Sequence, residues 1–161
     1  MVYIKLMLRK YWFFFLFTFF VPVFTAANNA EEDREKKTFP PNAILVASYM
    51  GNVDLVAEIL AAGVDKNHRS DSGGSALHMA VLQRNINVLK LLLEYGFDPN
   101  VKDTKDGYTP LHVAVAANNI EAARLLLQYK ADKNIRNLAG QTPLDKARRE
   151  EKLELVRLLI R

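Results

Sequence analysis

Cysteine is absent from the 161-residue chain, which excludes disulfides, thiol catalysis, iron–sulfur clusters and thiolate-ligated zinc and leaves the redox compartment unreadable from composition. Aromatic residues are scarce over most of the length, because ten of them lie in residues 1–27. That segment has no acidic residue, and it holds Lys5, Arg9 and Lys10. All 18 acidic residues lie beyond it, so the formal charge of +4 falls to +1 once the segment is set aside. A near-neutral remainder removes the charge argument for nucleic-acid binding, which needs a basic domain or stripe.

Residues 1–27 run from the basic cluster through an apolar stretch, 12–24, to the small residues Thr25, Ala26 and Ala27. This order is that of a signal peptide cut after Ala27, with Thr25 at −3 and Ala27 at −1. The alternative is an uncleaved anchor: residues 11–27 supply 17 residues, against about 20 for a spanning helix and roughly 17 as the lower limit. A misassigned start is a third reading. The first two place the remainder outside the cytoplasm, periplasmic or secreted in one case and membrane-anchored in the other. Arg34, Lys36 and Lys37 keep the charge asymmetry across the segment modest. Residues 28–41 are polar and charged, and read as a flexible linker that Pro40 and Pro41 stiffen at its end.

From residue 42 the chain repeats. Ala47, Ala80, Ala114 and Ala147 recur at steps of 33, 34 and 33. Leu77, Leu111 and Leu144 keep the same register, as do Asn67, Asn100 and Asn134 and the apolar pairs Ile59/Leu60, Leu92/Leu93, Leu126/Leu127 and Leu159/Ile160. Each period reads as a short apolar helix, a tight polar turn, a longer Leu-rich helix and a glycine-containing loop. In the third, Thr109 can cap a helix that starts at Pro110, where proline's missing N–H costs nothing. Leu111, Ala114 and Val115 give that helix one buried face. Asn118 and Asn119 then turn the chain into a second helix, 120–129, with Ala122, Leu125 and Leu126 inward. Two such short helices cannot bury their faces alone, so each pair must stack on the next.

Gly107-Tyr108-Thr109-Pro110-Leu111-His112-Val113-Ala114 and Gly140-Gln141-Thr142-Pro143-Leu144-Asp145-Lys146-Ala147 resemble the signature of the ankyrin repeat family, as do the helix and loop endings at 88–100 and 122–134. The resemblance covers residues 42–161 as four repeats, about 42–70, 71–103, 104–137 and 138–161. It implies an all-α solenoid of stacked helix pairs with β-hairpin loops projecting to one side, a protein-binding scaffold with no shared active site. It further implies that His78 and His112 are structural, bonding to backbone and to the neighbouring hydroxyl side chain.

Departures from the pattern carry their own expectations. Ser75-Ala76 replaces Thr-Pro, which keeps a hydroxyl cap without the preset proline. Lys130 stands where Gly63 and Gly96 end their helices, so a lysine must take a left-handed conformation. One extra residue within 104–106 lengthens a hairpin tip. The first repeat lacks the hairpin and the histidine, with Asn42 as N-cap and Leu45 in the histidine's place. The first and fourth repeats read as terminal caps, the fourth presenting Lys146, Arg148, Arg149, Glu150, Glu151 and Lys152 as a polar outer surface.

No residue pattern supports catalysis, a cofactor or a metal. A metal at His78 and His112 would need further ligands and a second shell. His68 beside Arg69 reads as solvated, and Asp71, Asp103 and Asp106 as turn-shaping. Gly73-Gly74 is not followed by a phosphate-loop pattern. Met79 and Leu92 read as core at helical spacing, and Tyr95 and Tyr129 as half-buried near repeat junctions.

Function then falls to positions free of packing duties, which the resemblance places at the hairpin tips and the exposed side of each first helix. At the tips these are Asp71, Ser72 and Gly74; Thr104, Lys105, Asp106 and Tyr108; and Leu138, Ala139 and Gln141. On the helices they are Tyr49, Met50, Leu82, Gln83, Ala116, Ala117, Arg149 and Glu150. Tyr49, Met50, Leu82 and Tyr108 suggest an apolar stripe beside charged tips, suited to a protein partner, unless they merely cover neighbouring helices. The leading expectation is a monomeric, non-catalytic adaptor or inhibitor acting outside the cytoplasm on another protein, touching membrane only if the leader is uncleaved. The alternative is a small-ligand or haem-handling accessory protein supporting a redox enzyme in that compartment.

Overall fold

The 33-residue period resolves into four helix pairs in a computed structural model that describes residues 37–161. The leader and residues 28–36 of the connector lie outside the described residues. The helices of the described residues all fall within the unit Phe39–Arg161. The first helices are α1 (Ala43–Met50), α3 (Ala76–Leu82), α5 (Pro110–Ala116) and α7 (Pro143–Arg149). Their partners are α2 (Val53–Ala61), α4 (Ile86–Glu94), α6 (Ile120–Gln128) and α8 (Leu153–Ile160). Each helix packs on its own partner and on its equivalents in the repeats before and after, giving two parallel rows. Among the described residues, no helix is long and apolar enough to cross a membrane.

Helix starts follow from side-chain caps. The Thr109 and Thr142 backbones are extended, with ψ of 164° in both, which aims each Oγ1 at the N–H three residues on, at 3.4 Å for His112 and 3.1 Å for Asp145. The second helices use asparagine: Oδ1 of Asn52, Asn85 and Asn119 accepts from the N–H of Leu55, Val88 and Ala122 at 3.0, 3.1 and 3.0 Å. Asn42 stands at the N-cap position of α1 but makes no side-chain cap bond. Its ψ is 0°, because the chain enters α1 from a turn closed by the Ala43 N–H on the Pro40 carbonyl.

The first three pairs use two left-handed residues each, and the fourth uses one. One ends the first helix: Gly51, Arg84, Asn118 and Glu151, with φ of 69°, 57°, 49° and 55°. The other ends the second: Gly63, Gly96 and Lys130, with φ of 86°, 80° and 63°. Lys130 thus takes the conformation its place in the period demands.

The repeat core is in register. Ala47, Ala80, Ala114 and Ala147 are fully buried, and Ile59, Leu92, Leu126 and Leu159 are at most 1% exposed. Small side chains on one row and long ones on the other let the pairs nest.

The loops carry no strand ladder: among the described residues there are no strands. Each tip is a turn closed by a backbone bond, Ser70 N–H on the Gly74 carbonyl, Asp103 on Tyr108 and Asn137 on Gln141. The middle ring spans one residue more than the others, which is the lengthened tip at 104–106. Successive tips touch. A Cβ on Gly73 would come within 2.5 Å of the Thr104 backbone nitrogen, and one on Gly107 within 3.0 Å of that of Leu138, so both glycines are fixed by contact as well as by their positive φ.

Candidate functional site

The motif histidines are joints between repeats. His78 Nδ1 accepts from Ser75 Oγ at 2.8 Å and from Ser75 N–H at 3.1 Å, which leaves Nε2–H to donate to the Tyr108 carbonyl at 2.9 Å. His112 repeats this with Thr109 Oγ1 and N–H at 2.9 and 3.2 Å and the Gln141 carbonyl at 3.0 Å. Burial pushes both imidazoles below the usual histidine pKa, and the accepting carbonyls offset this only in part. Both rings are therefore neutral donors and acceptors with each nitrogen engaged, so ligating a metal or haem iron through either would break a junction. In the last repeat Asp145 takes the histidine's place, and its carboxylate accepts from the Thr142 N–H at 3.0 Å. That bond holds it below the usual carboxylate range.

Tyr108, expected as an open contact residue, is half-buried in a network across the third and fourth repeats. Its ring stacks on His112 with centroids 5.4 Å apart. Lys146 Nζ lies 5.1 Å from the ring centroid and donates to the phenol oxygen at 3.2 Å. The same ammonium pairs with Glu150 Oε1 at 2.6 Å, while Glu150 Oε2 holds Lys152 Nζ at 2.6 Å. Lys152 also donates to the Val115 and Ala116 carbonyls at the end of α5, at 2.6 and 2.7 Å. Burial alone would lower the Lys146 pKa and raise that of Glu150, but the contacts of Lys146 with Glu150 and Tyr108, and of Glu150 with Lys146 and Lys152, outweigh it and move each the other way. The polar outer surface expected of the fourth repeat is thus corrected in part: Arg148, Arg149 and Glu151 are exposed, but Lys146 is only 5% exposed. An ion pair and an aromatic ring made its burial possible, and neither is visible in a helical period.

The other proposed contact residues divide by exposure. Tyr49, Met50 and Leu82 are 55%, 71% and 51% exposed, and Gln83 is exposed beside them. Asp71, Ser72, Thr104, Lys105 and Asp106 are exposed at their tips, and Leu138 is 73% exposed. Gln141 is half-buried, its carbonyl taken by His112, and Gly74 is buried.

The structure brings Tyr49 and Asp71 to one open groove of about 320 Å³ between the first two repeats. Its floor is Leu45, Val46, Tyr49 and Met79, and its rim is Asn42 and residues 68–71. Val46 and Met79 were missed because an apolar residue at helical spacing reads as core. A signal did exist: Val46, Met79, Val113 and Lys146 occupy one position of the period, and a lysine at the last of them marks a place that can face outward. Among the described residues, no group of three or more His, Cys, Asp or Glu side chains could hold a metal.

A family model for ankyrin repeats, covering three copies, matches residues 18–103 and 96–161. The chain is 44% identical over 64 residues to the potassium channel AKT1 of Arabidopsis thaliana, which spans 40% of this chain and 7% of the channel. It is 37% identical over 73 residues to the ankyrin repeat-containing protein P1E11.10 of Schizosaccharomyces pombe, covering 45% of this chain and 34% of that one. It is 46% identical over 52 residues to protein phosphatase 1 regulatory subunit 12A of Mus musculus, covering 29% and 5%. The chain thus spans about a third or less of the curated relatives it matches.

Proposed function

The chain belongs to the ankyrin repeat family, whose repeats generally mediate protein–protein contact without catalysis, and from that premise we propose that it is an adaptor or inhibitor holding another protein on its row of first helices. The single observation that carries this is the groove floored by Leu45, Val46, Tyr49 and Met79 and continued by exposed Met50 and Leu82. Leu45 belongs to the core, but Val46, Tyr49, Met50 and Leu82 are exposed along one side of a stack whose core is already filled and have no packing duty within the repeat, and apolar and aromatic clusters with polar rims are the anatomy of protein interfaces. Arg69 and Asp71 on its rim supply charges that select orientation. That one relative is named as a regulatory subunit of a phosphatase is consistent with a binding role.

We further propose that the protein acts outside the cytoplasm, supported by the basic, apolar and small-residue order of residues 1–27. The test joins both readings. Intact mass of the protein from its native host is expected to lack the leader, and full-length soluble cytoplasmic protein overturns export. Capture from the exported fraction then compares the native chain with Tyr49→Ala/Leu82→Ala and with the control Lys90→Ala on the opposite row. The double variant is expected to weaken binding by about 2 kcal/mol or more, as for an interface hot spot, while the control binds as the native chain does. Equal binding by all three places the partner elsewhere.

A further inference from the structure

The three junctions between repeats are not built alike. Across the second and third, His78 and His112 reach the carbonyls of Tyr108 and Gln141 at 2.9 and 3.0 Å. At the first, the residue in their place is Leu45, whose side chain has nothing to donate. In the same junction Ser48 occupies the position of Val81 and Val115, all three fully buried, and its hydroxyl has no hydrogen-bond partner. A hydroxyl taken out of water without a partner is a net cost where valine would be a gain. The first helix of this repeat also lacks the side-chain cap that Thr109 and Thr142 give theirs. The first junction keeps the Asn85 Nδ2–H bond to the Gly51 carbonyl at 2.8 Å and the Lys66 bond to the Tyr95 carbonyl, but these three features each take stability from the α1 side, and none of them touches α5 to α8.

In a stack whose repeats contact only their neighbours, stability is a sum of repeat and junction contributions, so a weak terminal junction opens by itself. The groove straddles this junction: Leu45, Val46 and Tyr49 come from α1, Met79 from α3. We infer that α1 and α2 open from the stack as one unit, so that the groove exists only in the closed population and its occupancy is governed by an opening equilibrium at the first junction. The regulatory half of this inference rests on the groove being the binding face. An occupant that spans α1 and Met79 contacts the closed form alone and draws the equilibrium toward it.

Hydrogen exchange on the full chain, with no partner present, tests the opening. The amides of Val56, Ile59 and Leu60 are expected to exchange together and at least about tenfold faster than those of Ala114 and Leu126. Ser48→Val removes the orphan hydroxyl and is expected to slow that block by about tenfold while leaving α5 to α8 unchanged. The reciprocal Val115→Ser, which puts the same hydroxyl in the third junction, should speed α7 and α8 instead. Exchange of α1 and α2 at the rate of α5 and α6, or a Ser48→Val effect shared by every helix, overturns the inference. Because the measurement contains no partner, its failure leaves the binding face standing, and failed capture leaves the opening standing.

Discussion

His112 shows how much a single side chain can settle. Its Nδ1 closes the start of α5 and its Nε2 ties that helix to the next repeat, so truncation to alanine loses a cap and a junction together and leaves the Gln141 carbonyl with the Asn137 N–H as its donor. His112→Ala is expected to cost about 1–3 kcal/mol in urea unfolding. The pH dependence follows from its lowered folded-state pKa, shared with His78. The unfolded chain binds protons from about pH 6.5 downward that the folded chain refuses. Stability is therefore fully present above that pH and declines as pH falls through it toward the lower folded value. Unfolding curves at pH 7.5 and 5.5 should show the native chain losing stability, and His112→Ala losing less. Asp145 and Glu150, whose folded pKa values are depressed, add their loss only at lower pH, beneath the unfolded carboxylate values.

For the elements, the ends carry the information. The left-handed residue closing the first three of the second helices is glycine twice and lysine once, and Lys130 at φ 63° holds a conformation that costs a side chain with a Cβ about 1–2 kcal/mol. Lys130→Gly is expected to raise stability by roughly 0.5–1 kcal/mol, part of the relief being returned as unfolded-state entropy, and the urea midpoint measures it. This site was legible because Gly63 and Gly96 announce it in the same register. The matching turn after each first helix was not, since Gly51, Arg84, Asn118 and Glu151 share no chemistry that would flag a positive φ. The period, the Thr-Pro starts and the inward leucines were readable because each follows from helix geometry local to its own repeat. The burial of Lys146 and the outward aim of Val46 and Met79 were not, because both depend on which repeat lies alongside. The tips were read as hairpins from the family pattern, yet each is closed by a single backbone bond with no flanking pair to extend it into a ladder.

Across the whole molecule, the load runs along the stack. Leu126 is fully buried in the row of second helices, with α4 on one side and α8 on the other. Leu126→Ala is expected to cost about 2–5 kcal/mol, and calorimetry should show the loss as a lowered transition for the third and fourth repeats. The apolar groove lies at the opposite end, between the first two repeats, so this variant should bind its partner as well as the native chain does wherever it is folded.

Apart from the side-chain contact of Lys146 with Tyr108 and the Arg136–Asp145 pair, most side-chain bonds that cross between repeats share a grammar. His78 and His112 donate to the Tyr108 and Gln141 carbonyls, Asn85 to that of Gly51, Arg84 to that of Ala117, and Lys152 to those of Val115 and Ala116. In each, one repeat contributes a side chain and the other only main chain. A main-chain acceptor is present whatever residue occupies the position, so a unit can be copied, deleted or exchanged between genes without a matching change in its neighbour. Such joints are indifferent to the lineage of what they join, which lets surface positions drift toward a new partner while the architecture is inherited intact.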